Sequence, residues 1–290
     1  MLRIGERGSG TEDEGAAAFG CGCEAVVMGV VNVTPDSFSD GGALADAAAA
    51  IAHGQALWQA GAHILDVGGE ATNPRAIAVS AEVELARVLP VIRGLAATTD
   101  ALISIDTTKA VVARAAIAAG AELVNDVSGG AFDPDILAVA DDAGVGYVCG
   151  HLRGASLAEV FAAERTVGWR EVADELGARL DAMPASLRRR TLVDPGLGFG
   201  KGSDPAGNLA LLAHAGDLAA ALARPILVGP SRKRFLARLL GAAPTLAALD
   251  DATVGACLAA IAAGAHAVRV HDVARLGHAL RGFAAVRSHA

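Results

Sequence analysis

Residues 59–69 read QAGAHILDVGG, and the order of these residues decides the fold. A helix-forming run ends at Gly61, a small residue follows, and a short apolar strand closes on Asp66 and two glycines. Glycine just past a helix supplies the left-handed position that ends its last turn. The plan returns in AAGAELVNDVSG (118–129), DAGVGYVCGH (142–151) and AAGAHAVRVHD (262–272). Three more apolar stretches fit the spacing: ALISID (101–106), RTLVDPG (190–196) and PILVGPS (225–231). The eighth strand is the first in the chain, where Val26, Val27, Val30, Val31 and Val33 form a β-branched run. It runs into MGVVNVTPDSFSDGG (28–42) and breaks at Thr34-Pro35-Asp36-Ser37, all turn formers. Eight strands alternating with helices predict an α/β protein of one domain, a (β/α)8 TIM barrel over residues 25–290. An open doubly wound sheet is the alternative. No G-x-G-x-x-G turn follows the first strand, which counts against a dinucleotide site.

Helices are expected over 43–60, from an N-cap at Ser80 to about Ala97, and from a cap at Thr107 or Thr108 to Gly120. Hydrophobic residues make up 53% of the chain, enough for a large core, and aromatics only 3%, which suits helices packed on a sheet. The net charge of −8 comes with no basic block, so a nucleic-acid surface is not expected. No apolar run reaches membrane-spanning length. Residues 1–24 hold no apolar segment of leader type and read as a disordered tail, so a cytoplasmic protein is expected. Cys149 and Cys257 lie in apolar runs and read as buried thiols. Cys21 and Cys23 have no second ligand pair at finger-like spacing, so zinc is not expected there.

In a (β/α)8 barrel the site lies at the C-terminal ends of the strands. Those ends carry Asn32, Asp66, Asp106, Asn125 with Asp126, His151, Asp194, Ser231 to Lys233, and Arg269 with His271. One polar strand end is unremarkable; eight of eight exceed what capping needs. The chain has three lysines, Lys109, Lys201 and Lys233, against 21 arginines, and all three fall just past strand ends. Lys109 reads as a first-turn surface residue and Lys201 as structural. Lys233 opens a helix behind Gly229-Pro230-Ser231 and has the strongest claim to a ligand. Arg269 and His271 are two apart on one strand and share a face. With Lys233 they make a cationic rim able to hold phosphate or pyrophosphate. Ser231, read as a helix start, adds backbone N–H groups for an anion. Asp106, Asn125 and Asp194 supply acceptors, and buried carboxylates need N–H partners. A ring with amidine-type N–H groups and a phosphate tail fits such a mouth. The other reading pairs these carboxylates with Lys233 and arginines to hold the barrel together.

In combination, MGVVNVTPDSFSDGG, DVGGEAT, SIDTTKA, NDVSGG, HLRG, DPGLGFGK, GPSRKRF and RVHD resemble the dihydropteroate synthase family, the sulfonamide target of folate synthesis. The resemblance spans roughly residues 25–287. It implies a (β/α)8 barrel, a homodimer, and Mg2+ as cofactor. It implies the joining of 4-aminobenzoate to 6-hydroxymethyl-7,8-dihydropterin pyrophosphate, with release of pyrophosphate. Asp106, Asn125, Asp194 and Lys233 match the pterin pocket, and Phe199 its ring-packing residue. Asn32, Arg269 and His271 match the pyrophosphate and Mg2+ site, with Asn32 on the metal. Asn32, Lys233, Arg269 and His271 are the implied catalytic set. Thr72, Pro74 and Ser231 match the 4-aminobenzoate region, with Pro35, Asp36 and Phe38 on a closing loop. The resemblance also implies that the C–O bond breaks first and that the arylamine then attacks a pterin cation. The second loop departs from the family's GGESTRPG: residues 68–75 read GGEATNPR. Asn73 stands where an arginine is usual. Arg75 lies two residues on, on the same side of an extended segment, and is assigned to the pyrophosphate; the other reading makes it a solvated loop cation. Two further readings compete with the synthase: a non-catalytic or specialised pterin-binding paralogue, and a pterin-dependent methyltransferase domain.

Overall fold

The computed structural model describes residues 25–33, 42–71, 78–162, 166–201, 204–241 and 243–289. Pro35, Asp36, Phe38, Thr72, Asn73, Pro74, Arg75, Cys21 and Cys23 lie outside the described residues, as does the tail 1–24. Eight parallel strands follow one another: β1 Val26–Asn32, β2 Ile64–Gly68, β3 Leu102–Asp106, β4 Leu123–Asp126, β5 Gly146–Gly150, β6 Thr191–Asp194, β7 Leu227–Val228 and β8 Ala267–Val270. Their order in the sheet is β6-β5-β4-β3-β2-β1-β8-β7. A parallel bridge between Val193 and Ile226, with Val193 N–H donating to Pro225 O at 2.9 Å, joins β6 to β7 and closes the barrel. The (β/α)8 reading holds, and the open sheet is excluded.

Helices cover the outside of the barrel: α1 Gly42–Gln59, α2 Ala81–Thr98, α3 Ala110–Ala118, α4 Asp135–Ala143, and further helices to Val273–Arg287. The repeated glycines close turns as expected, with φ of 107° at Gly61, 115° at Gly120, 70° at Gly144 and 101° at Gly264. Ser80 caps α2, its Oγ accepting from Val83 N–H. The cap of α3 differs from expectation. Lys109 holds the N-cap position, and Asp133 Oδ2 accepts from Ala110 N–H at 2.7 Å. Thr107 Oγ1 instead accepts from Lys109 N–H, at 3.2 Å. A carboxylate brought in from the segment before α4 does the work of a local hydroxyl, and local sequence carries no sign of it.

Side chains alternate across each strand, so every second residue points into the barrel. The lower interior layer is Met28, Ile64, Leu102, Leu123, Val148, Leu192, Leu227 and Ala267, all buried and apolar. Two residues further along each strand stand Val30, Asp66, Ser104, Asn125, Gly150, Asp194, Gly229 and Arg269. Two further again come Asn32, Gly68, Asp106, Val127, Leu152, Gly196, Ser231 and His271. The interior thus changes from hydrocarbon to polar within one step of the pleat. A larger apolar core lies between the sheet and the helices, with Cys149 and Cys257 in it. Both thiols are free and buried, as the sequence suggested, and burial pushes them up to about 12. Among the described residues, no helix is long and apolar enough to cross a membrane.

Candidate active site

The upper layers open into a cavity of about 420 Å3 at the C-terminal ends of the strands. Asn32, Asp106, Asn125, Asp194, Phe199, Ser231, Lys233, Arg269 and His271 all line it. The nine described residues that the resemblance assigns to the site therefore meet in one place, while the strand-end candidates Asp66, Asp126 and His151 do not line the cavity.

One wall is made of acceptors. Asp194 ends β6 and its Oδ1 accepts Gly196 N–H at 2.7 Å. Gly196 has φ of 70°, and a Cβ there would stand 1.7 Å from His151 O, so the turn after β6 admits only glycine. Burial raises the Asp194 carboxyl above its usual range, and Lys233 opposes the rise. Asp106 ends β3. Burial pushes it up to about 7, against the pull of Arg269. Asn125 on β4 donates from Nδ2 to the buried carboxylate of Asp66 at 2.9 Å.

Lys233 and Phe199 close the far side. The Lys233 ammonium donates to Leu197 O at 2.6 Å and lies 4.1 Å from the centre of the Phe199 ring. Burial lowers its pKa to about 8, and Asp194 limits the fall. Phe161 packs on Phe199 with ring centres 5.5 Å apart. The loop carrying Phe199 is pinned from below by Lys201. Its Nζ is buried, donates to Phe199 O at 2.9 Å and meets His151 Nδ1 at 2.7 Å. His151 Nε2 meets Glu175 at 2.8 Å, and Glu175 also binds Arg153. Lys201 is structural, as expected from its glycine-rich setting.

Arg269 leaves β8 and bridges two carboxylates. Nε donates to Asp66 Oδ2 at 2.6 Å and Nη2 to Asp106 Oδ2 at 2.7 Å. Part of the carboxylate–arginine reading is therefore realised in the same residues that line the cavity. Ser231 is not a helix start; Lys233 caps the helix Arg234–Leu240, and Ser231 lies two residues before it. Its Oγ accepts from His271 N–H at 3.2 Å and meets His271 Nδ1 at 2.9 Å. With the hydroxyl donating to Nδ1, the ring proton sits on Nε2. The cationic rim needs a correction here. Burial, then Arg269 and Arg232, drives His271 down to about 3, so it acts as a neutral hydrogen-bond donor and not a cation. The rim charge belongs to Arg269 and Lys233.

Lys109 also differs from its surface reading. It binds Glu70 at 2.5 Å and the fully buried Glu84 at 2.6 Å, joining the second loop to α2. Arg232, one of the strand-end residues read from the sequence, also lines the cavity; Glu70 and Phe161 line it but carry no sequence signal that singles them out. Asp66 was legible as a strand end; it stands instead at the centre of β2, below the cavity.

Asn32 ends β1 with its side chain exposed in the cavity. Among the described residues, no group of three or more His, Cys, Asp or Glu side chains can hold a metal ion. A hard cation held by one amide oxygen and the oxygens of a bound pyrophosphate fits this donor set; an all-protein cage does not.

An acceptor wall, a packed aromatic and two half-buried cations at the mouth of a barrel are what the resemblance to pterin-binding enzymes leads one to expect. A sequence profile of the family described as pterin binding enzyme matches residues 28–271. The dihydropteroate synthase of Mycobacterium leprae is 46% identical over 257 residues, covering 85% of this chain and 88% of that one. The structure of Xanthomonas albilineans dihydropteroate synthase with 4-aminobenzoic acid superposes with a TM-score of 0.83, at 43% identity over 91% of this chain and 93% of that one. The same enzyme in complex with 7,8-dihydropteroate gives a TM-score of 0.77, at 42% identity over 91% and 94%. The chain belongs to the dihydropteroate synthase family.

Proposed function

We propose that the cavity residues divide the synthase reaction as follows. The pterin lies along the acceptor wall, its ring N–H groups donating to Asp106, Asn125 and Asp194, and Phe199 with Lys233 packs its face. Arg269 and the Nε2–H of His271 bind the pyrophosphate, with Arg75 as a further cation from the second loop. The C–O bond from the pterin methylene to the pyrophosphate breaks, and the electron pair leaves on the pyrophosphate oxygen. The carboxylates stabilise the positive ring that remains, and Arg269 the leaving anion. The amine of 4-aminobenzoate, assigned to Ser231, Thr72 and Pro74 with the loop of Pro35, Asp36 and Phe38, then attacks the methylene, and the new C–N nitrogen passes its proton to solvent water. No protein nucleophile is required. Mg2+ would be held by Asn32 with the pyrophosphate oxygens, and the chemistry it supplies when bound is neutralisation of the leaving group. The homodimer implied by the resemblance belongs to the same proposal.

The convergence of Asp106, Asn125, Asp194, Phe199 and Lys233 on one cavity carries this reading. Purified protein given both substrates and Mg2+ should form dihydropteroate and pyrophosphate in equal amounts, and EDTA should stop it. Tight pterin binding without product would establish the binding-protein paralogue instead.

A further inference from the structure

Asp66 is a charged group in the upper barrel to which the reaction gives no part. It is fully buried and does not line the cavity. Its carboxylate nevertheless takes three donors from three other strands. Oδ1 accepts from Ser104 Oγ at 2.6 Å. Oδ2 accepts from Asn125 Nδ2 at 2.9 Å and Arg269 Nε at 2.6 Å. Both of these last two residues line the cavity.

We propose that Asp66 is a positioning residue that sets the donor and acceptor polarity of the pterin wall and the pose of Arg269. The inference rests on the pterin reading of the site. An asparagine amide has an oxygen end that accepts and a nitrogen end that donates. A carboxylate only accepts, so Asp66 draws the nitrogen end of Asn125 downward. The Oδ1 end is then the one offered to a ligand. The wall between Asp106 and Asp194 becomes acceptors throughout and selects a ring edge made of N–H donors. The same carboxylate holds Arg269 by Nε alone. When a ligand N–H replaces Arg269 on Asp106, Asp66 still orients the guanidinium, and its Nη groups are released to an anion. Below Asp66 the packing is apolar, and its strand neighbour on the inner face is Ile64.

The test is calorimetry with 6-hydroxymethylpterin on two substitutions of the same residue. In Asp66→Asn the amide oxygen can take the Oδ2 position and still accept from Asn125 Nδ2 and Arg269 Nε, while its nitrogen donates to Ser104 Oγ. The polarity of the wall is kept, and affinity should stay within a few-fold of the wild type. Asp66→Leu leaves both donors without that acceptor, so Asn125 is free to turn its nitrogen to the ligand. Affinity should then fall about 10- to 100-fold, the range of a lost charge-assisted bond. Wild-type affinity in Asp66→Leu overturns the proposal, as does an equal loss in Asp66→Asn and Asp66→Leu. Should Asp66→Leu fail to fold, Asp66→Ala makes the same removal without added bulk and is read in the same way. Failure of the wild-type chain to bind the pterin sinks the pterin reading itself and is told apart by that control.

Discussion

The lower and upper halves of the barrel interior are built from the same strands, two residues apart, and do opposite things. Leu123 and Asn125 share one face of β4, as do Leu192 and Asp194 on β6 and Ala267 and Arg269 on β8. Below, eight apolar side chains fill the barrel with no polar atom. Above, burial holds Asp106 and Asp194 toward their neutral forms and pulls Lys233 down to about 8. The lower layer gains free energy on folding; the upper layer gives some of it up to keep charges ready for a ligand. The strand alternation that builds the fold thus also places the site.

The largest effect expected from breaking this contrast is in the lower layer. Leu123→Ala should cost about 2–5 kcal/mol of stability, the usual range for a buried leucine truncated to alanine. Urea unfolding measures it, and kcat/KM of the folded fraction should stay close to wild type. In the upper layer the loss should fall on the ligand instead. Lys233→Ala removes a charge-assisted contact, about 1.5–3 kcal/mol, and should weaken pterin binding by about 10- to 150-fold in a calorimetric titration. The midpoint of urea unfolding should move little.

Arg75 tests whether the contrast extends to the second loop. Arg75→Ala should lower kcat/KM for the pterin pyrophosphate within that same range, with little change for an uncharged pterin. Adding Asn73→Arg should recover the loss. Wild-type kinetics in Arg75→Ala would make it a solvated cation.

The smallest effect is a pH response, and its sign follows from the two shifted groups. Ionised Asp106 accepts N–H donors, and stabilises a positive ring, more strongly than its neutral acid does, so activity should rise as pH climbs through about 7. Lys233 loses its proton as pH climbs through about 8, so activity should fall beyond that point. A kcat/KM profile should be a narrow bell between those limbs, each changing about tenfold per pH unit. A flat profile from pH 6 to 9 would mean that neither group meets the substrate in a charged form.

The barrel and most of the mouth were legible because both depend on strand alternation and strand ends, which are local. Asn32, Asp106, Asn125, Asp194, Lys233, Arg269 and His271 all follow from reading where each apolar run stops. What was not legible depends on partners far along the chain. Asp66 became the link between Asn125 and Arg269 only through β4 and β8. Lys109 left the surface for Glu84, and Asp133 rather than a threonine capped α3, for the same reason. His271 lost its expected charge to burial and to Arg269 and Arg232, none of which its own neighbours in sequence foretell.

One measurement bears most directly on the division between the two halves: thermal unfolding of Asp194→Ala with and without 6-hydroxymethylpterin. Asp194 lines the cavity and its ionised form is disfavoured by burial. The free variant should unfold within a few degrees of wild type, while the rise in Tm that pterin gives the wild type disappears. A free variant destabilised as far as Leu123→Ala, or one that keeps the full pterin-induced rise, would contradict the division.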